Sequence, residues 1–182
     1  MDPAAANPGE VLRFWREAGP GRWFRKDPAF DRDFHERFAG LHFAAARREL
    51  DAWAATADGA LALLILLDQL PRNAFRGTGH MYATDPLARH FARRLVDAGF
   101  DARFEPELRA FCYLPFSHSE DLADQRQGVE LARRIGPPWL GHAEDHLRIV
   151  ERFGRFPHRN PMLGRQTTVE EQAFLDQGGF AG

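Results

Sequence analysis

The amino-acid sequence predicts an all-α fold. Alternating apolar and polar strand patterns are nearly absent, and apolar residues recur at helical spacing through most of the chain. Capping residues followed by proline or by acidic side chains mark successive helix starts. Short loops between segments imply antiparallel helix pairs. A chain of 182 residues with 44% hydrophobic and 12% aromatic content suits one ordinary domain with a real core. Residues 1–182 are therefore read as a single all-helical domain, with 1–6 and 178–182 as loose tails.

In order along the chain, Asn7-Pro8 reads as an N-cap followed by proline at the first helical position. That helix carries Val11, Leu12, Phe14 and Trp15 and stops at Gly19. Pro20 to Lys26 is a turn. Asp27-Pro28 repeats the opening signal, and Phe30, Phe34, Phe38 and Leu41 form the core stripe of a second helix reaching about Leu50, with a break allowed near Gly40. Asp51 to Thr56 is a short turn or helical segment. Asp58 then caps the central helix, whose run Ala60 to Leu67 is apolar on every side. Such a run belongs to a helix covered all round, and it is shorter than the roughly 20 residues that span a bilayer. Asp68 breaks the pattern. A carboxylate at the C-terminal end of a buried helix faces the negative end of the helix dipole, so it needs a cation, several donors or a proton. Arg72 and Arg76 are the nearest cations, and Pro71 is expected to end the helix.

Beyond a loop at 74–83, Thr84 or Asp85 caps a helix with the stripe Leu87, Phe91 and Leu95, closed by Gly99. Glu105 to Tyr113 is a short helix stopping before Pro115. Ser119 opens another through Arg134, with Glu120 and Asp121 in its first turn. Pro137-Pro138 starts a helix running through Phe153 to Gly154. Arg155 to Gln166 is irregular, and Thr167 and Thr168, each with a glutamate three residues on, give overlapping capping boxes for a last helix. No repeat of fixed period stands out. DQLPRN at 68–73 and GRFPHRN at 154–160 echo one another, each with a proline just after a helix and then Arg-Asn.

Composition excludes several function classes. The formal net charge of −2 leaves no overall basic footprint for nucleic acid, and no apolar run is long enough for a membrane span. Lys26 is the only lysine, so cationic chemistry rests on arginine, whose fork suits carboxylates and phosphates. Cys112 is the only cysteine, which rules out an internal disulfide and fits a reducing compartment. MDPAAANPGE lacks a secretory pattern, so the expected location is cytoplasmic. No glycine-rich phosphate loop and no glycine-flanked serine elbow is present, and no cofactor is expected.

The segments LALLILLDQLPRN, YLPFSHSEDLADQ and ERFGRFPHRN…LGRQTTVEEQAFL resemble the bacterial family known as domain of unknown function 924, from about Val11 to Leu175. The resemblance implies a helical, tetratricopeptide-like array and no established activity. The strings that carry it place hallmark positions on Asp68, Gln69, Pro71, Arg72, Asn73, Pro115, His118, Glu120, Asp121, Gln125, His146, Phe153, Arg155, Pro157, His158, Arg159 and Asn160. Leu70 stands where the family pattern has phenylalanine, a volume-tolerant core change.

Three constellations hold the candidate chemistry. In the first, Arg72, Arg155 and Arg159 with Asn73 and Asn160 converge on an anion, or else they satisfy helix-end carbonyls and neutralise acids. In the second, Ser119, Glu120 and Asp121 are explained by a helix start, while His118 is left without a structural task and suits proton transfer. In the third, His142 and His146 have a spacing that can ligate zinc, but His146 shares a stripe with Ile149, Val150 and Phe153 and reads as a hydrogen-bonded core histidine, so no metal is expected. Two functions follow. One is a binding protein whose pocket, lined by Asp68, Arg72, Asn73, His118, Arg155, His158, Arg159 and Asn160, takes a small anionic molecule or a peptide end. The other is an acid–base enzyme, a hydrolase among the options, using His118 or His158 with Asp68 or Glu120 as partner. Oligomeric state is not legible.

Overall fold

The computed structural model describes residues 7–180, and among them no strand occurs. The fold is all-α. The described residues up to Arg76, with His80–Pro115, form one compact unit; Gly77–Gly79 and the described residues from Phe116 onward form a second.

In the first unit, α1 (Pro8–Ala18) is capped by Asn7, whose Oδ1 accepts the Gly9 N–H at 2.8 Å. The short α2 (Pro20–Trp23) turns the chain. Asp27 caps α3 (Pro28–Ala46), which passes Gly40 without a break and ends before Leu50. A 3-10 segment (Asp51–Ala55) leads into α4 (Ala57–Leu64). The cap of α4 is Thr56 rather than Asp58, because Thr56 Oγ1 accepts the Gly59 N–H at 3.1 Å. Gly59 is required there, since a Cβ would lie 2.1 Å from the Trp53 carbonyl oxygen. α4 packs against α1, the 3-10 segment and α6 (Asp85–Asp97), and every residue of it but Asp58 is buried. Trp15 anchors the aromatic core, with its ring 5.4 Å from Phe34 and 5.2 Å from Phe111 of α7 (Pro106–Ser117). Pro115 falls inside the last turns of α7 instead of stopping it.

Pro71 likewise does not end the central helix. The path continues through a π-turn (Ile65–Gln69) into α5 (Leu70–Ala74), with the Leu70 N–H reaching back to the Ile65 carbonyl. Proline has no N–H for the next bond of that pattern and its ring crowds the turn before it. Three side chains meet the carbonyls of this stretch: His42 Nδ1 donates to Leu66, Thr84 Oγ1 to Leu67 and Arg72 to Asp68, at 2.9, 2.5 and 2.8 Å. The helix survives its proline because tertiary donors supply what the backbone lost.

In the second unit, α8 (Leu122–Arg133) begins at Asp121, which accepts the N–H groups of Ala123 and Asp124. Ser119, expected to open this helix, donates instead to Asp124 at 2.7 Å. α9 (Trp139–Phe153) packs back on α8: Val129 and Ala132 late in α8 meet Ala143 early in α9, while Arg126 pairs with Glu151 near its end. The two therefore run antiparallel. Gly128 permits close approach, since a Cβ there would stand 3.2 Å from Ser117 Oγ. After a 3-10 turn (Pro157–Arg159), α10 (Val169–Asp176) opens with the predicted capping box, formed by Thr168 and Glu171.

Candidate functional site

The predicted residues fall into two groups. In the first unit, Asp68 is 1% exposed and its Oδ1 lies 3.1 Å from Arg72, at the expected one-turn spacing. Arg72 also grips Asp85 with two bonds of 2.8 and 2.9 Å, and Gln69 donates to Asp68 at 2.6 Å. Burial alone would lower the Arg72 pKa, but the Asp68 and Asp85 carboxylates outweigh it and hold it above the ordinary value. Asp85, at the start of α6, is a partner that sequence reading missed. Arg76 goes elsewhere, to Asp31 at 2.8 Å, and the same carboxylate accepts from Asn73 at 2.8 Å.

Beside this centre lies a second missed pair. His42, 0% exposed, places its Nε2 2.9 Å from Nε2 of His80, and the rings of Phe43 and Phe75 pack against both imidazoles. Burial lowers the His42 pKa, and His80 lowers it further, against the raising effect of the Leu66 carbonyl. The signal in the sequence was Pro71 itself, since a proline inside a helical stretch demands outside donors.

In the second unit the irregular loop after α9 is fastened at several points. Glu120 accepts from the Phe156 N–H and from Arg165, both at 2.9 Å. Burial alone would raise the Glu120 pKa, but Arg165 and the Phe156 N–H hold it below the ordinary value. Arg155 grips Glu171 at 2.6 and 2.9 Å, and this with the Thr168 N–H pushes the Glu171 carboxyl down to about 2. Asn160 donates weakly to the same glutamate at 3.3 Å. Arg159 donates to the His118 carbonyl at 3.0 Å and lies 4.4 Å over the Phe156 ring.

Two histidines pack on Phe156 and Phe180, and a third stands beside one of them. His146 stands 6.3 Å from His118 between ring centroids, 5.4 Å from Phe156 and 4.7 Å from Phe180; His158 stands 5.8 and 5.1 Å from the same two phenylalanines. His146 Nδ1 lies 2.7 Å from the His142 carbonyl, the hydrogen-bonded role its stripe predicted. Desolvation pushes His146 down to about 4, aided by the charges of His118, Arg159 and His142 and opposed by the His142 carbonyl.

The comparisons agree on kinship. The model of a bacterial protein family of unknown function, DUF924, matches residues 11–179. The chain belongs to the DUF924 family. A solved structure of a protein of unknown function from Agrobacterium tumefaciens is 56% identical, with a TM-score of 0.92 over 94% of this chain and 97% of that one. Among curated proteins none matches.

The two echoing strings, PRN at 71–73 and PHRN at 157–160, do parallel work, each within its own unit. Arg72 and Arg159 each donate to a backbone carbonyl, and Asn73 and Asn160 each donate to a carboxylate. A recess of about 500 Å³ between α1 and α3, lined by Glu10, Arg13, Phe14, Glu17 and Arg37 among others, includes none of the predicted residues. Among the described residues no group of three or more histidine, cysteine or acidic side chains is placed to hold a metal ion, and no helix is long and apolar enough to cross a membrane.

Proposed function

We propose that the protein binds a small anionic molecule, or the carboxylate end of a peptide, at the imidazole–guanidinium cluster of its second unit, with His118, His158 and Arg159 as contact residues. One observation carries the reading: His146 and His158 pack on Phe156 and Phe180, His118 stands beside His146, and the Arg159 guanidinium lies over the Phe156 ring. Each is a donor once protonated. After burial, the influences that most lower the His146 pKa are the positive charges of His118, Arg159 and His142. Further positive charge is disfavoured at such a spot, and an anion is attracted to it. Arginine supplies a forked contact, and an imidazole that gains a proton as the anion arrives supplies charge on demand. Arg155 and Asn160 act from behind, holding the loop through Glu171. Asp68, Arg72 and Asn73, members of the same predicted set, belong to the first unit and stay outside the contact set.

Imidazole NMR and calorimetric titration with inorganic phosphate, and with a short peptide bearing a free C-terminus, test this reading. Binding raises the His146 pKa from about 4 toward the ordinary imidazole value. It is lost in the His118→Ala/His158→Ala double variant, whose stability stays within about 1 kcal/mol of the parent. If the His118, His146 and His158 resonances stay unmoved by millimolar anion, the proposal fails.

A further inference from the structure

We propose that Phe180 is a movable lid on the imidazoles of the second unit, lying over His146 and His158 until an anion displaces it. The inference rests on the anion-binding reading above and adds how entry to that site is controlled. Each of these two histidines packs on two phenyl rings, one inside and one outside. Phe156 is the inner ring. It is 0% exposed, stands 5.4 Å from His146 and 5.8 Å from His158, and its N–H is tied to Glu120. Phe180 is the outer ring, 39% exposed and 4.7 and 5.1 Å from the same two imidazoles. Both imidazoles are half-buried, so the side marked by Phe180 is the one from which a solute reaches them.

The local sequence is suited to putting that ring there. After α10, Gly178 takes a φ of +80°, a left-handed value that favours glycine. The Gly178 and Gly179 N–H groups return to the carbonyls of Leu175 and Phe174 at 3.1 and 2.9 Å, the paired bonds of a helix-ending reversal. A Cβ on Gly179 would lie 2.6 Å from the Phe174 carbonyl oxygen, so this close turn needs glycine. The reversal brings Phe180 back to His146 on α9. Among the described residues its aromatic partners are the two imidazoles, met at interplanar angles of 60° and 79°. Edge-to-face contacts of this kind are individually weak and yield to a stronger partner. An anion is such a partner, because imidazole N–H groups and the Arg159 guanidinium can bond to it. A phenyl ring gives an anion no donor, and its face is electron-rich. Phe180 and a bound anion therefore compete for one surface, and the closed fraction of the lid reduces the affinity.

The test compares the full chain with Phe180→Ala and with Gly179→Ala, which keeps the phenyl group but forces it from its place. One measurement needs no anion: modification of each histidine by diethyl pyrocarbonate, read by mass spectrometry. The other is calorimetric titration with inorganic phosphate, with the Phe180 ring resonances followed by NMR. For a lid closed about two-thirds to nine-tenths of the time, its loss raises both the reagent rate and the phosphate affinity about three- to tenfold. His146 and His158 thus react faster in both variants, while the exposed His142 reacts as in the parent. In the parent, the Phe180 resonances shift as phosphate binds. Equal reagent rates at His146 and His158 in the parent and Phe180→Ala would show that the ring covers nothing. Weaker phosphate binding by Phe180→Ala would make the ring a fixed wall of the site. Either result overturns the lid and leaves the anion reading standing. Phosphate that moves no histidine in any of the chains ends the anion reading, and the reagent rates then decide the lid alone.

Discussion

Asp68, Arg72 and Asp85 show what a buried charge requires. Asp68 and Asp85 retain 2% and 8% of their side-chain exposure and Arg72 16%, so each has given up most of its hydration. Desolvation of that depth is tolerated when geometry is good and the remaining donors are engaged, and Arg72 meets both carboxylates and the Asp68 carbonyl. Removing the cation strands two acids. Arg72→Ala is therefore expected to cost about 3–5 kcal/mol in denaturant unfolding, and Arg72→Lys to recover little of it, because an ammonium cannot reproduce the two-pronged contact with Asp85. A loss below about 1 kcal/mol in Arg72→Ala would contradict the pairing. Half of this centre was legible in the sequence: an isolated acid after an apolar run, with an arginine one turn on. Asp85 was not, because its role depends on where α6 docks.

Local signals set the helix starts, and nonlocal donors decide where helices go on. The caps at Asn7, Asp27 and Thr168 follow from two or three residues each, so the sequence discloses them. Thr56 and Asp121 displaced the expected Asp58 and Ser119 because a cap depends on which oxygen reaches a free N–H, and Ser119 is engaged with Asp124. Pro71 is the larger lesson. Local rules end a helix there, yet donors 24 and 17 residues away, His42 and Thr84, carry it through. Thr84→Val keeps the shape and deletes the donor to the Leu67 carbonyl, leaving a buried acceptor unmatched. The expected loss is about 1–3 kcal/mol by chemical denaturation, with Thr84→Ser closer to the parent. Equal stabilities for Val and Ser would show that the π-turn does not depend on this hydroxyl.

At the scale of the whole molecule, the all-α class was legible because helical periodicity extends along most of the chain. The grouping of candidate residues was less so. PRN at 71–73 and PHRN at 157–160 look alike in the sequence, and the bonds they make are local to each unit: Arg72 and Asn73 bond within the first, Arg159 and Asn160 within the second. What both units share is a direction of response to acid. His42 and His146 are held below the ordinary imidazole value by burial, His146 at about 4. Between about 4 and 6.5 the unfolded chain binds more protons than the folded one, so stability falls as pH falls through that window, by a few kcal/mol for His146 alone. The acids act with the same sign lower down. The contribution of Glu171, held at about 2 first by Arg155, is complete above the ordinary glutamate range and disappears as pH drops through the folded value. Denaturant midpoints measured from pH 7 to 3 are thus expected to decline in two stages, the upper reflecting imidazoles and the lower carboxylates. His146→Phe should flatten the upper stage, because a side chain that cannot take up a proton removes the difference between the folded and unfolded chains. Glu171→Gln should flatten the lower stage while lowering stability near neutrality, since Arg155 then loses its charged partner. A midpoint that holds steady from pH 7 to 4.5 would mean that His146 is not protected from protonation, and the cluster around Phe180 would lose the electrostatic character argued for it.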